Sequence, residues 1–279
     1  AMREGQFDDI IDDVEKQVIW AGEANVKTPL SIIYLHGFTA SSKEIRPVPD
    51  RVAAALGANL YFPRFTGHGR QPAAMAEATV GRWMDDVGEA IKIGNQIGET
   101  VIIMATSTGA TLAAAAALDE AAMENIGGII FISPNFAINS RAASLLTWPF
   151  ARQWVPLVIG AEQQGIARND LHARYWTMNY PTTALMPMAA IVAAVDQESF
   201  DDVDIPALFY YSRQDQVVAP EKTAAFARSW GGESKSIIAS LIAGDDKFSH
   251  IIAGDIVSPN QTASAVEHMV AWITGLQNR

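Results

Sequence analysis

The stretch MATSTGATLA, residues 104–113, carries the strongest signal in the chain. A β-branched and apolar run, Thr100 to Ala105, leads into it, and a helix of small residues, Gly109 to Leu118, leads out. Ser107 sits at the junction, with Ala105 two positions before it and Gly109 two positions after. A strand-to-helix turn this sharp leaves no room for bulky side chains at those two places. It holds a hydroxyl above the sheet, beside a helix N-terminus whose dipole favours developing negative charge. This is the shape of a nucleophile elbow.

On either side of the elbow, apolar β-rich runs alternate with helical patterns. Strands are expected at 17–20, 30–35, 59–62, 100–105, 127–132, 206–212 and 236–242. Val80, Trp83, Met84, Val87 and Ile91 recur at helical spacing behind Thr79, which reads as an N-cap. Such alternation implies an α/β class protein: a mostly parallel central sheet with helices on both faces. Residues 135–204 interrupt it. They show no strand pattern, are punctuated by Pro149, Pro156, Pro181 and Pro187, and hold Trp148, Trp154 and Trp176. Pro187 is expected to open a helix with the apolar stripe Met188, Ile191, Val192 and Val195. The expected organisation is a core of 1–134 and 205–279 with a helical cap, 135–204, inserted between two strands. The competing reading makes that stretch more core.

Composition narrows the function. The 279 residues are 49% hydrophobic and 18% charged, which describes a soluble globular protein. No apolar run approaches the roughly 20 residues that span a bilayer. A formal charge of −11 disfavours nucleic acid or an anionic membrane as partner, so the expected partner is a small molecule. The chain has no cysteine, which excludes disulfides, thiolate catalysis and cysteine-ligated metals. Ala1-Met2 reads as an expression remnant and no leader is visible; the expected location is cytoplasmic unless a leader has been removed. An exposed apolar cap edge is compatible with a monomer or a homodimer.

A serine hydroxyl is a weak nucleophile at neutral pH. It needs a general base, and the base needs an orienting partner. In open α/β sheets such groups gather beyond the C-terminal ends of the strands. Asp215, in YYSRQDQVVAP, follows the strand at 206–212 and is the candidate acid, with Asp245 and Asp246 as alternatives. His250, in KFSHIIAGD, lies between the last strand and the last helix and is the candidate base. His268 falls opposite the stripe Val266, Met269, Val270 and Ile273, so it faces solvent. His172 lies in the inserted stretch with no evident partner; His36 and His68, each beside a glycine, read as structural hydrogen-bonders. The oxyanion formed on attack needs two N–H donors. Thr108, directly after the serine, supplies one, and Phe38 in the turn LHGF supplies the other.

SIIYLHGFTAS, PRFTGHGRQP, MATSTGATLA, YYSRQDQVV and FSHII, in that order, resemble the α/β-hydrolase fold, and within it the carboxylesterase and monoacylglycerol-lipase branch. The resemblance spans about residues 15 to 275. It implies Ser107 as nucleophile, Asp215 as orienting acid, His250 as base, and the N–H groups of Phe38 and Thr108 as oxyanion donors. It also implies that Gly67 to Gly69 border the site without doing chemistry. The sequence departs from the family pattern at Ala105, where a glycine is usual, and at Thr108, where many relatives carry a larger residue. The latter changes the floor of the site. A serine nucleophile separates the chain from the dehalogenase and epoxide hydrolase branches, which use aspartate.

The expected activity is hydrolysis of carboxylic esters with apolar acyl or small aromatic groups through an acyl-enzyme. Trp148, Trp154 and Trp176 are candidate substrate contacts. No cofactor and no metal are expected. Cleavage of thioester, amide or carbon–carbon bonds by the same groups is the alternative, with a non-catalytic binding protein on this scaffold behind it. Activity is expected to fall as pH drops through the His250 pKa, near the ordinary value of about 6.5 but movable by Asp215.

Overall fold

The computed structural model describes residues 4–140 and 143–278; the Ala1-Met2 pair lies outside them. Seven strands form one sheet in the order β1-β3-β2-β4-β5-β8-β9. They are β1 (Gln17–Ile19), β2 (Thr28–Leu35), β3 (Asn59–Phe62), β4 (Gly98–Thr106), β5 (Ile126–Ile132), β8 (Ala207–Tyr211) and β9 (Ser234–Ile238). Only β1 runs antiparallel to its neighbour; every other pair is parallel. The expected seven strands are these seven. The last differs most. It starts two residues earlier than expected and leaves the ladder after Ile238, because an edge strand needs one covered face and not a continuous apolar run.

Strand alternation places two cores on the two faces. Ile33, Leu35, Ile103, Ala105, Ile129, Phe131 and Phe209 point to one side. There they meet α2 (Val80–Ile97), α3 (Thr108–Ala116), α6 (Leu185–Val195) and α7 (Pro220–Ser229). Ile32, Tyr34, Met104, Ile130, Ile132, Leu208 and Tyr210 point to the other, against α1 (Val48–Leu56) and α8 (Thr262–Gln277). Thr79 caps α2, its side chain accepting from Arg82 N. The alanines of α3 follow from its position: Ala110, Leu112, Ala113 and Ala114 are fully buried, so the helix is packed all round and small residues let it lie close to the sheet.

Between β5 and β8 the chain forms α4 (Ala151–Ile159), β6 (Glu162–Gln164), α5 (Asp170–Tyr175), β7 (Asn179–Pro181) and then α6. β6 and β7 pair antiparallel, which corrects the reading that this stretch holds no strand. At three residues each and half-exposed or exposed, they offer no alternation to read. Helix α6 begins at Leu185, with Pro187 inside its first turn, where the N–H groups have no partner in the helix to lose. Its stripe Met188, Ile191, Val192 and Val195 is buried in the main core, whereas α4 rests on a small cluster of Ala151, Val155 and Met186. Among the described residues no helix is long and apolar enough to cross a membrane.

Candidate active site

The end of β4 and the start of α3 force Ser107 into a left-handed backbone, φ 52° and ψ −118°. Few residues other than glycine adopt this, and the strain, about 1–3 kcal/mol, has to be held by the surroundings. The restraints are visible. Ser107 N donates to Ile132 O at 3.0 Å, and its own carbonyl accepts from Asn135 N at 3.1 Å. Gly109 passes against the end of β2, where a Cβ would lie 2.4 Å from Leu35 O. Any other residue there would push the elbow off the sheet. Thr39, Ser133 and Ser249 also have positive φ, so backbone strain gathers in the loops at the C-terminal ends of the strands.

The structure brings Ser107, His250 and Asp215 together. Asp215 follows β8, and its Oδ1 accepts from the N–H groups of Val217 at 2.8 Å and Val218 at 3.0 Å. Its Oδ2 accepts from His250 Nδ1 at 2.8 Å. That contact puts the proton of a neutral imidazole on Nδ1 and leaves Nε2 as acceptor. Ser107 Oγ lies 3.0 Å from Nε2 and donates to it. Burial lowers the His250 pKa, but the hydrogen bond and charge of Asp215, followed by the charges of Glu44 and Asp246, outweigh it and hold the imidazole above its ordinary value.

Asp246 works on the backbone of the histidine loop. Its Oδ2 accepts from His250 N at 3.1 Å and Ile251 N at 2.9 Å, and its Oδ1 from Phe248 N at 3.0 Å. Arg168, reaching from the stretch between β6 and α5, pairs with Oδ1 at 3.0 Å. Asp245, the other alternative acid, binds Ile242 N and the Asn260 and Gln261 side chains.

The remaining histidines are placed as the sequence implied, with one addition. His36 donates from Nδ1 to Gly37 O at 2.9 Å and accepts from Phe65 N at 3.2 Å; burial lowers its pKa to about 4. His68 packs its ring 4.9 Å from that of His36. His268 is exposed on α8. His172 does have partners, unlike the expectation: it accepts from Arg168 N at 3.1 Å and its ring lies 4.5 Å from that of Trp176.

Phe38 and Thr108 flank the serine. Gly37 approaches so closely that a Cβ there would lie 3.1 Å from Ser107 Cβ. Among the described residues no backbone carbonyl takes the Phe38 N–H or the Thr108 N–H. The ring of Phe38 meets Tyr180 of β7 edge-on at 5.3 Å, with His68 and Trp83 beside it. Of the three tryptophans, Trp148 is exposed and lines a groove of about 500 Å³ with Phe150 and Met186. Trp154 donates to Pro149 O at 3.2 Å, and Trp176 is buried. Sequence reasoning missed Tyr180 and Glu44. Glu44 is buried behind the Gly37 turn, and burial raises its carboxyl to about 6. Among the described residues no three His, Asp or Glu side chains gather as a metal centre would require.

The sheet order, the helices on both faces and the serine at a β4–α3 elbow define the α/β-hydrolase fold, and the sequence matches place the chain in its lipase/esterase-like branch. The chain belongs to the Hydrolase_4 family, described as serine aminopeptidase, S33, whose sequence model matches residues 26–240. It is 25% identical over 210 residues to a thermostable monoacylglycerol lipase of Bacillus sp. (strain H-257), covering 75% of this chain and 80% of that one. Its fold is similar to that solved in work on LipS and LipT, two metagenome-derived lipolytic enzymes. There the TM-score is 0.73 at 22% identity, over 95% of this chain and 99% of the other. It is also similar to a soluble variant of the Saccharomyces cerevisiae monoglyceride lipase, with TM-score 0.70 and 12% identity over 94% and 90% of the two chains.

Proposed function

We propose that the chain hydrolyses carboxylic esters through an acyl-enzyme. Ser107 Oγ attacks the ester carbonyl while its proton passes to His250 Nε2. The N–H groups of Phe38 and Thr108 take the oxyanion. Asp215 holds the ring and offsets the imidazolium charge. His250 then protonates the departing alcohol; in the second half it takes a proton from the attacking water and returns it to Ser107 Oγ as the acid leaves. The observation that carries this reading is the continuous relay of 2.8 Å and 3.0 Å from Asp215 through His250 to Ser107.

The substrate class is an ester with an apolar acyl or small aromatic group. Phe38 and Tyr180, with the buried Trp83 packed behind Phe38, put aromatic rings beside the serine, and the curated relative is a lipase. In this reading residues 135–204 act as a cap on a core of 1–134 and 205–279, with Tyr180 of β7 beside Phe38, Trp148 on the exposed groove, and Trp154 and Trp176 serving as packing.

The family's description as a serine aminopeptidase makes amide cleavage the second reading. Initial rates on p-nitrophenyl esters of graded chain length, matched acyl-thioesters, p-nitroanilides and vinylogous diketones separate the two. Esters are expected to be fastest. Faster turnover of an anilide, thioester or diketone would overturn the ester assignment while leaving the relay in place.

A further inference from the structure

The site contains a carboxylate that the proposed reaction does not use. Glu44 lies in the turn after β2, buried and far in sequence from every other acid of the site. Its Oε2 accepts from Gly37 N at 2.8 Å and from the Tyr34 hydroxyl at 2.8 Å. Tyr34 Oη in turn lies 3.0 Å from Thr106 Oγ1. Gly37 directly precedes Phe38, and Thr106 is two residues before Thr108. One carboxylate oxygen therefore ties together the two chain segments that carry the oxyanion donors. The fit is close: a Cβ on Gly37 would lie 2.7 Å from Glu44 Oε1. A buried carboxylate is costly unless its hydrogen bonds are made, so a cheaper residue would serve if the position were only filler.

We propose that Glu44 is a positioning residue for the oxyanion hole, fixing the Gly37–Phe38 turn against the Thr106–Thr108 elbow. This rests on the ester-hydrolase reading above. Two donors must converge on one oxygen with little tolerance, and a loosened turn would stabilise the transition state less while leaving ground-state binding largely unchanged. The charge of the carboxylate also raises the His250 pKa. Around that imidazole stand Asp215 from the loop after β8, Glu44 from the turn after β2 and Asp246 from its own loop, the last paired to Arg168. Removing the Glu44 charge takes away one of the three groups that raise the imidazole.

The test is steady-state kinetics of Glu44→Gln, Glu44→Ala and Tyr34→Phe on a p-nitrophenyl ester, with Ser107→Ala as the control. Gln keeps a carbonyl that can accept both hydrogen bonds and loses the charge. The expected result is that Glu44→Ala lowers kcat about tenfold or more with KM within about threefold. Glu44→Gln should recover most of kcat while its acid limb moves to lower pH. Tyr34→Phe should fall between Gln and wild type. If Glu44→Ala does not fold, Tyr34→Phe decides: a lower kcat with KM unchanged supports the assignment and a wild-type kcat overturns it. A folded Glu44→Ala with wild-type kcat, or a Gln variant as impaired as Ala, also overturns it. Those results leave the ester reading standing if Ser107→Ala is inactive. An active Ser107→Ala would sink that reading separately.

Discussion

The loops at the C-terminal ends of the strands and the α4 end of the inserted stretch are built on opposite terms. In the first, charged side chains are buried and held: Asp215 accepts three hydrogen bonds, and Asp246 accepts three and pairs with Arg168. The same loops carry strained backbone at Thr39, Ser107, Ser133 and Ser249. In the second, Phe150, Leu157 and Ile166 are 76%, 87% and 86% exposed, and α4 buries Ala151 and Val155 against Met186. The lesson is one of tolerance. Around Ser107 a small displacement breaks several interactions at once, whereas α4 can change its surface with little effect on the fold.

Substitutions can break or sharpen this contrast. The largest effect is expected for Ser107→Ala, which should lower ester turnover by at least about 10⁴-fold with the fold retained. Asp215→Asn should lower kcat by about 10²–10⁴-fold, since an amide in place of the carboxylate no longer sets the imidazole tautomer or offsets its charge. Circular dichroism and thermal melting check that both variants fold. A smaller effect is expected at the link between the two regions. Arg168→Met leaves Asp246 buried without its cation and should destabilise the protein by about 1–3 kcal/mol in denaturant melts. An unchanged midpoint would show that the stretch between β5 and β8 is not anchored through this pair. At the far end, Leu157→Gln should change stability by less than about 0.5 kcal/mol and leave kcat on a short ester unaltered.

The pH profile tests the electrostatics of the constrained side. In the proposed mechanism His250 must be neutral to accept the serine proton. Three carboxylates hold its pKa above the ordinary value, so activity should begin to fall at a higher pH than an unperturbed histidine would give. The acid limb of kcat/KM is therefore expected above about pH 6.5. A limb below that value would mean that burial outweighs the carboxylates.

The same contrast explains how much was legible in the sequence. The elbow around Ser107 could be read because its sterics dictate small residues at Ala105 and Gly109. The five inner strands could be read because both faces are covered, which forces apolar runs such as Ile32 to Leu35, whereas the half-exposed edge strand β9 was placed least well. Asp215 and His250 were found from their places after strands. Glu44 was not, because a lone acid between Lys43 and Ile45 looks like a solvated turn, and only the fold brings Tyr34 and Gly37 to it. Strands β6 and β7 were missed because six short, largely polar residues carry no periodicity. Tyr180 was missed with them, since its contact with Phe38 spans residues far apart in the chain.

Reaction with a serine-directed phosphonate, followed by peptide mapping of the adduct, tests the central claim most directly. The account predicts one adduct per chain, on Ser107, formed in step with the loss of ester turnover and absent from Ser107→Ala. An adduct at another serine, or full ester turnover in a chain whose Ser107 is blocked, would contradict it.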